Sequence, residues 1–204
     1  MSDKRKHKII LWGIVIVFLI SFLVFSVIFV INFPKNYPDK TLVIEEKVTS
    51  FLNTITLPIK IAKLSNQEPD TSILVPVYGR RVSHIADTWQ APRGDGRLHE
   101  GQDIFASKGT PVFSATKGYV LRITNTELGG NAVYVIGAGG RRYYYAHLDS
   151  FPAGLSIGQL VTTDTIIGFV GNTGNAENTP PHLHLGVYER REAIDPLPLL
   201  VDRK

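Results

Sequence analysis

The stretch PVFSATKGYVLRITNTELGGNAVYVIGAGGRRYYYAHLDS, residues 111–150, alternates short β-branched and aromatic runs with glycine-marked turns. Pro111–Ala115, Tyr119–Thr124, Ala132–Ile136 and Arg142–His147 read as strands. Lys117-Gly118, Gly129-Gly130-Asn131 and the segment from Gly137 to Gly140 supply the turns between them. Beyond this stretch, Ile166–Val170 and His182–Tyr188 read as two more strands, separated by a turn signal at Gly171 to Gly174. Short strands at regular spacing with glycine turns predict an all-β fold, an antiparallel sandwich or barrel-like sheet. No internal repeat suggests a solenoid.

Four of the six histidines fall in three short segments around this β pattern: RLHEGQD, YYYAHLDS and PPHLHLGV. In a strand, alternate side chains share a face, so His182 and His184 point one way and Leu183 the other. His99 and Asp103 are four apart, but Gly101 and the preceding Gly94-Asp95-Gly96 favour a loop entering a strand over a helix. The H-E-x-x-H zinc motif therefore does not apply, since its second histidine is Asp103 here, and Glu100 is not assigned as a base by that analogy. His147 closes a predicted strand. Neutral imidazoles with a carboxylate are a usual donor set for a hydrolytic zinc ion.

Together these segments resemble the lysostaphin-type, or LytM-type, zinc metallopeptidases that cut peptidoglycan cross-bridges. The resemblance runs from about Val75 to Leu199 and includes HEGQD, YAHLD, GNTGNAENTPPHLHLGV, KGTPVFSATKGYV and GFVGNTG. It implies an antiparallel LytM-type peptidase domain with a groove. It implies one Zn2+ per chain, held by His99, Asp103 and His184, with His147 and His182 as the catalytic pair beside an open fourth position. One histidine would take a proton from the attacking water and the other would meet the oxyanion. No ligand or catalytic position of the family pattern is substituted here. Pentaglycine bridges, D-alanyl–diaminopimelate cross-links and stem-peptide bonds are all targets within the family, and the missing wall-targeting repeats lean towards direct cross-links. Asn131 and Tyr145 are the candidate substrate contacts. Trp89 and His84 are assigned to packing or the groove rim, and Arg93, Arg97, Arg141 and Arg142 either attract the carboxylates of peptidoglycan stems or, by default, are solvated.

Upstream, Ile9 to Ile31 carries no charge, and its 23 positions would span roughly 34 Å as a helix, enough for a bilayer core of about 30 Å. Lys4, Arg5, Lys6 and Lys8 precede it, so the positive-inside rule predicts a cytoplasmic basic tail over 1–8 and a single-pass signal anchor over 9–31. The run is too long for a cleavable signal peptide and lacks a small-residue cleavage site. Everything beyond Asn32 is then expected in the periplasm or extracellular space, with 32–72 as a juxtamembrane stalk and 73–204 as the peptidase domain. Apolar positions at helical spacing predict a short amphipathic helix near Thr41–Ile55, interrupted by Pro58 and followed by a polar linker, Ser65–Ser72. The stalk is the candidate contact for a regulatory partner.

The formal net charge is +4, and the N-terminal tail accounts for most of it. The remainder carries no electrostatic footprint for nucleic acid. The absence of cysteine excludes thiolate zinc sites, disulfide scaffolds and cysteine nucleophiles. Two further classes compete with the peptidase. One is a non-catalytic LytM-like scaffold that binds peptidoglycan or a partner and regulates another cell-wall hydrolase. The retained histidines count against it. The other is a biotinyl or lipoyl carrier module. It requires a modifiable lysine flanked by residues such as methionine, and the single methionine here is Met1.

Overall fold

The computed structural model describes residues 38–94 and 96–203, together with Val17, Phe18 and Ser21. The expected anchor and basic tail fall outside these residues apart from those three. Among the described residues, no helix is long and apolar enough to cross a membrane. The chain divides into two units, Met1–Thr49 and Ser50–Lys204. Besides those three residues, the described part of the first is the opening of helix α1 (Pro38–Ser65), where Val43, Ile44 and Val48 are exposed.

Helix α1 extends well past the predicted Thr41–Ile55, and Pro58 sits inside it rather than ending it. An interior proline removes one helical hydrogen bond and crowds the carbonyl four residues earlier, at a cost of about 3 kcal/mol. Docking within the second unit offsets that cost. Leu57 is buried, and Lys60 Nζ donates to Asn53 Oδ1 (2.9 Å) and to the carbonyl of Gly158 (3.0 Å). The same ammonium lies 5.1 Å from the centre of the Tyr119 ring. Phe51, Leu52, Ile55 and Ile59 remain exposed.

The rest of the second unit is mostly β. Its strands are β1 (Ile73–Leu74), β2 (Gln102–Phe105), β3 (Pro111–Phe113), β4 (Gly118–Thr126), β5 (Gly130–Ile136), β6 (Arg142–Ser150), β7 (Leu160–Val161), β8 (Ile166–Val170), β9 (His182–Glu189), β10 (Glu192–Ile194) and β11 (Leu200–Val201). β1 and β11 form a short parallel pair. The other nine strands make one antiparallel sheet that curls into a half-barrel, in the order β10-β9-β6-β5-β4-β7. β2 adds to β9, β8 adds to β6, and β3 adds to β8. A single branched sheet thus replaces the two facing sheets of the sandwich alternative.

The branching has a local cause. Along β6, Arg142 to Ala146 pair with β9, whereas Leu148 and Ser150 pair with β8. The exchange of neighbours takes place at His147. The core lies under one face of the curled sheet: Val112, Val120, Val133, Val135, Leu148 and Ile167 are fully buried there. β9 contributes Leu183, Leu185 and Val187.

Candidate metal centre and groove

Strand parity and register assemble the site. In β9, Leu183 and Leu185 enter the core, so His182 and His184 project from the opposite face. Asp103 on β2 is the register partner of His184, and so is Ala146 on β6. Directly opposed residues on one face have Cβ atoms about 5 Å apart, which is contact distance for a carboxylate and an imidazole. His99 reaches the same point from the loop ahead of β2. That loop is closed on itself: the amide of His99 donates to Ala91 O (3.0 Å), and that of Gln90 donates to His99 O (2.9 Å).

The three groups converge closely. His99 Nε2 lies 2.8 Å from His184 Nδ1 and 3.1 Å from Asp103 Oδ1, and His184 Nδ1 is 3.1 Å from the same oxygen. They form a group that could hold a metal ion. Two imidazoles and one carboxylate suit zinc. The supporting contacts suit it too. Thr88 O lies 2.6 Å from His99 Nδ1, and a carbonyl only accepts, so Nδ1 carries the proton and the Nε2 lone pair faces the cluster. Arg93 Nη2 donates to the other Asp103 oxygen, Oδ2, at 3.2 Å. Gly101 explains itself here, because a Cβ at that position would stand 2.6 Å from the His184 ring.

Two further imidazoles flank the cluster. His147 and His182 lie 5.0 Å apart, centre to centre, and His147 is 5.9 Å from His184. Each is oriented by a carbonyl at Nδ1: Thr173 O at 2.9 Å for His147 and Pro180 O at 2.8 Å for His182. Both therefore present a bare Nε2 in the neutral form. His147 adopts a left-handed backbone, φ +60°, which is uncommon outside glycine and concentrates at functional sites. A β-bulge produces it: between Asn131↔Leu148 and Val133↔Tyr145, β6 carries one residue more than β5.

Burial opposes ionisation of Asp103, but the His184 and His99 imidazoles against it hold its carboxyl well below the usual range. Burial pushes the His184 imidazole down, with Asp103 opposing. Burial likewise lowers His147 to about 4, so it is neutral at pH 7. The site opens into a groove of about 730 Å³ lined by Arg93, His99, Tyr144, His147, His182 and His184 among others.

The two expected substrate contacts lie elsewhere. Tyr145 is fully buried in the core, where its hydroxyl accepts the amide of Ala115 at 2.9 Å. Counting back by two from His147 leads to Tyr145, but the bulge breaks that parity and turns Tyr144 to the groove instead. Asn131 is structural: its amide donates to Thr173 Oγ1 (2.9 Å) and its Nδ2 to Asp149 O (3.0 Å). Thr173 Oγ1 in turn donates to Leu148 O at 2.8 Å, so Asn131 braces the loop whose carbonyl aims His147. Thr88 and Thr173 escaped sequence reasoning. Their only local signals were a threonine before the first histidine segment and the N-T-G turn before H-x-H. His84 accepts from the amide of Arg81 (3.3 Å) away from the cluster.

Comparison with known proteins agrees with this geometry. The model of Peptidase family M23 matches residues 97–196, which include all four groove histidines and Asp103. The L-Ala--D-Glu endopeptidase of Bacillus subtilis (strain 168) is 40% identical over 124 residues, covering 55% of this chain and 38% of its own length. The catalytic domain of the antimicrobial peptidase lysostaphin from Staphylococcus simulans is 31% identical with a TM-score of 0.50, covering 56% of this chain and 89% of that one. A zinc-containing peptidase from Vibrio cholerae is 27% identical with a TM-score of 0.53, covering 64% of this chain and 40% of that one. The chain thus spans less than half of the Bacillus and Vibrio proteins and most of the lysostaphin domain.

Proposed function

Because this chain belongs to peptidase family M23, we propose that it is a zinc endopeptidase that hydrolyses peptide bonds in the cross-linked stems of bacterial peptidoglycan. The convergence of His99 Nε2, His184 Nδ1 and Asp103 Oδ1 on one point carries this reading. These three residues are the metal ligands, and His147 and His182 are the catalytic pair. When bound, zinc supplies a Lewis acid and lowers the pKa of a water towards about 7.

The chain's own groups do the rest. Thr88 O locks the His99 tautomer, and Arg93 holds the second Asp103 oxygen, so both ligands are oriented in advance. His147 and His182 each keep Nδ1–H on a carbonyl, which leaves Nε2 of one to take the proton of the attacking water. That histidine, now doubly protonated, can donate from Nε2 to the leaving amine as the C–N bond breaks. The other stabilises the oxyanion of the tetrahedral centre only when its Nε2 also carries a proton to donate. The relative's name specifies an L-Ala--D-Glu bond, and a bond in a stem peptide is the substrate class we assign here. We further propose that residues 9–31 anchor the chain in the cytoplasmic membrane with the groove outside, where peptidoglycan lies, and that the 32–72 stalk spaces the domain or receives a regulatory partner.

The test is direct. Full-length protein in detergent is assayed for zinc content and for new amino and carboxyl termini in purified peptidoglycan, beside His184→Ala and His147→Ala. We expect one zinc and cleavage for the wild type, loss of both in His184→Ala, and retained zinc with activity down by about 10²–10⁴-fold in His147→Ala. A wild type that binds zinc and cuts nothing would return the chain to the regulatory-scaffold reading. Alkaline extraction of membranes tests the anchor.

A further inference from the structure

Gln102 holds a core position with a polar side chain. On β2 it shares a face with Ile104 and opposes Leu185 of β9, so strand parity turns it inward while Asp103 turns towards the metal cluster. The side chain is fully buried, and a buried amide is costly unless it is hydrogen-bonded. Here every donor and acceptor of the amide is used. Nε2 donates to Asp87 Oδ1 (2.9 Å) and Asp195 Oδ1 (3.0 Å), and Oε1 accepts from Thr88 N (2.9 Å) and Thr88 Oγ1 (3.1 Å). The orientation of the amide follows from its partners, because a backbone N–H only donates and the two carboxylates accept. The amides of Gln102 and Trp89 hold Asp87 below its ordinary carboxylate range, which keeps it an acceptor.

Thr88 carries the consequence to the metal cluster. Its carbonyl receives the Nδ1–H of His99 at 2.6 Å, and its hydroxyl accepts the amide of Asp103 at 3.0 Å while donating to Gln102. Two of the three candidate ligands thus rest on one threonine. Both donors of that threonine, main-chain and side-chain, end on one oxygen, Gln102 Oε1. Because Asp103 follows Gln102 in β2, the contacts close a ring: Gln102 side chain, Thr88 hydroxyl, Asp103 amide, and back along the backbone. The ring is tied to Asp87 on one side and to Asp195 on the other, which leaves Thr88 little freedom to turn its carbonyl. Filling the core at this position calls only for an apolar side chain of similar volume. Aiming Thr88 calls for the amide.

We propose that Gln102 is a positioning residue of the metal centre: through Thr88 it fixes the His99 tautomer and the Asp103 backbone, and so sets how tightly the cluster holds zinc. This rests on the zinc-site reading above and deepens it. The carbonyl that faces Nδ1 obliges His99 to offer its Nε2 lone pair to the cluster. Without the tie to Gln102, Thr88 turns away more freely. The neutral imidazole then populates its other tautomer, which points a proton at the metal position.

The experiment uses full-length protein in detergent as wild type, Gln102→Met, Thr88→Val, Thr88→Ser, and Gln102→Met combined with Thr88→Val. Zinc affinity is read by competition with a colorimetric chelator, and the His99 tautomer by NMR of its ring nitrogens in metal-free protein. Gln102→Met should weaken zinc binding by about 10- to 100-fold and let His99 populate the Nε2–H form, where the wild type shows Nδ1–H. Thr88→Val should weaken zinc to a similar degree, and Thr88→Ser should restore it. The combined variant should be little worse than either single one, since both act through one contact. A folded Gln102→Met with wild-type zinc affinity and tautomer overturns the proposal whatever its Tm, because the glutamine then serves packing alone. Additive losses in the combined variant overturn it as well, because the effect then bypasses Thr88. Should Gln102→Met fail to fold, Thr88→Val decides, since it removes the hydroxyl link to Gln102 at a half-buried site. Weakened zinc binding there, restored in Thr88→Ser, sustains the proposal, and wild-type affinity overturns it. Should the wild type retain no zinc, the metal reading fails by itself and the tautomer decides. An Nδ1–H form lost in Gln102→Met sustains the positioning role, and an unchanged tautomer overturns it.

Discussion

Tyr143 shows how a single buried group sets a measurable pH dependence. Its ring is fully buried in β6, and among the described residues its hydroxyl has no hydrogen-bond partner of acceptable geometry, although Arg141 and Thr116 are its polar neighbours. Burial, reinforced by the nearby Asp70 and only partly opposed by Arg141, pushes the phenol up to about 12. An unfolded tyrosine ionises near 10, so between about pH 10 and 12 the folded state holds a proton that the unfolded state has lost. Stability must therefore fall as pH rises through that window, by roughly 2–3 kcal/mol for a shift of this size. Tyr143→Phe removes both the ionisation and an unsatisfied buried hydroxyl, which alone costs about 1–3 kcal/mol. The variant should be at least as stable as the wild type at pH 8 and should lose less between pH 9 and pH 10.5, as read from urea midpoints. An equally steep loss in both proteins would assign the alkaline transition to other groups.

Among the elements, α1 and β6 are where local rules and tertiary context part company. The apolar spacing that predicts Thr41–Ile55 stops at Pro58 because a proline should end a helix there. The observed helix continues to Ser65 because Leu57, Lys60 and Asn53 are engaged within the second unit. If that docking carries the proline, Pro58→Ala should restore the missing bond to Thr54 O and stabilise the protein. The gain should be about 1–2 kcal/mol, because the greater freedom of the unfolded alanine chain offsets part of the roughly 3 kcal/mol. Thermal melting measures it, and a lower Tm would mean that the proline ring itself packs favourably. In β6 the failure is one of parity. Gly129-Gly130 correctly marks a turn, but a bulge is a matter of register between two strands and leaves no trace in one of them. Tyr145 therefore looks like a groove residue in sequence, and Tyr144 is one in space.

Across the whole molecule, six of the eleven strands and the histidine-bearing segments were legible because both are written in short-range pattern, whereas the ligand set came from the family resemblance. Ile166–Val170 is a short apolar run bounded by turn residues, and H-x-H in a strand places two imidazoles on one face regardless of the rest of the fold. What lay beyond the sequence depends on contacts between distant segments: Thr88 on His99, Thr173 on His147, and Arg93 on Asp103. These same contacts mean that the ligands are already arranged by strands β2 and β9, so a metal ion should bind the folded state without reorganising it. Any ligand that binds only the folded state stabilises it by RT ln(1 + [L]/Kd), about 2.7 kcal/mol at one hundred times Kd. For a domain of this size, each kcal/mol moves Tm by about 2–4 °C. Zinc added to chelator-treated protein should therefore raise Tm by roughly 5–10 °C at saturation, in proportion to the logarithm of zinc concentration. His184→Ala should abolish the rise, and His147→Ala should keep it. A rise of equal size in His184→Ala would place the bound ion elsewhere on the chain. No rise in the wild type would mean that the cluster, though assembled, does not retain zinc under those conditions.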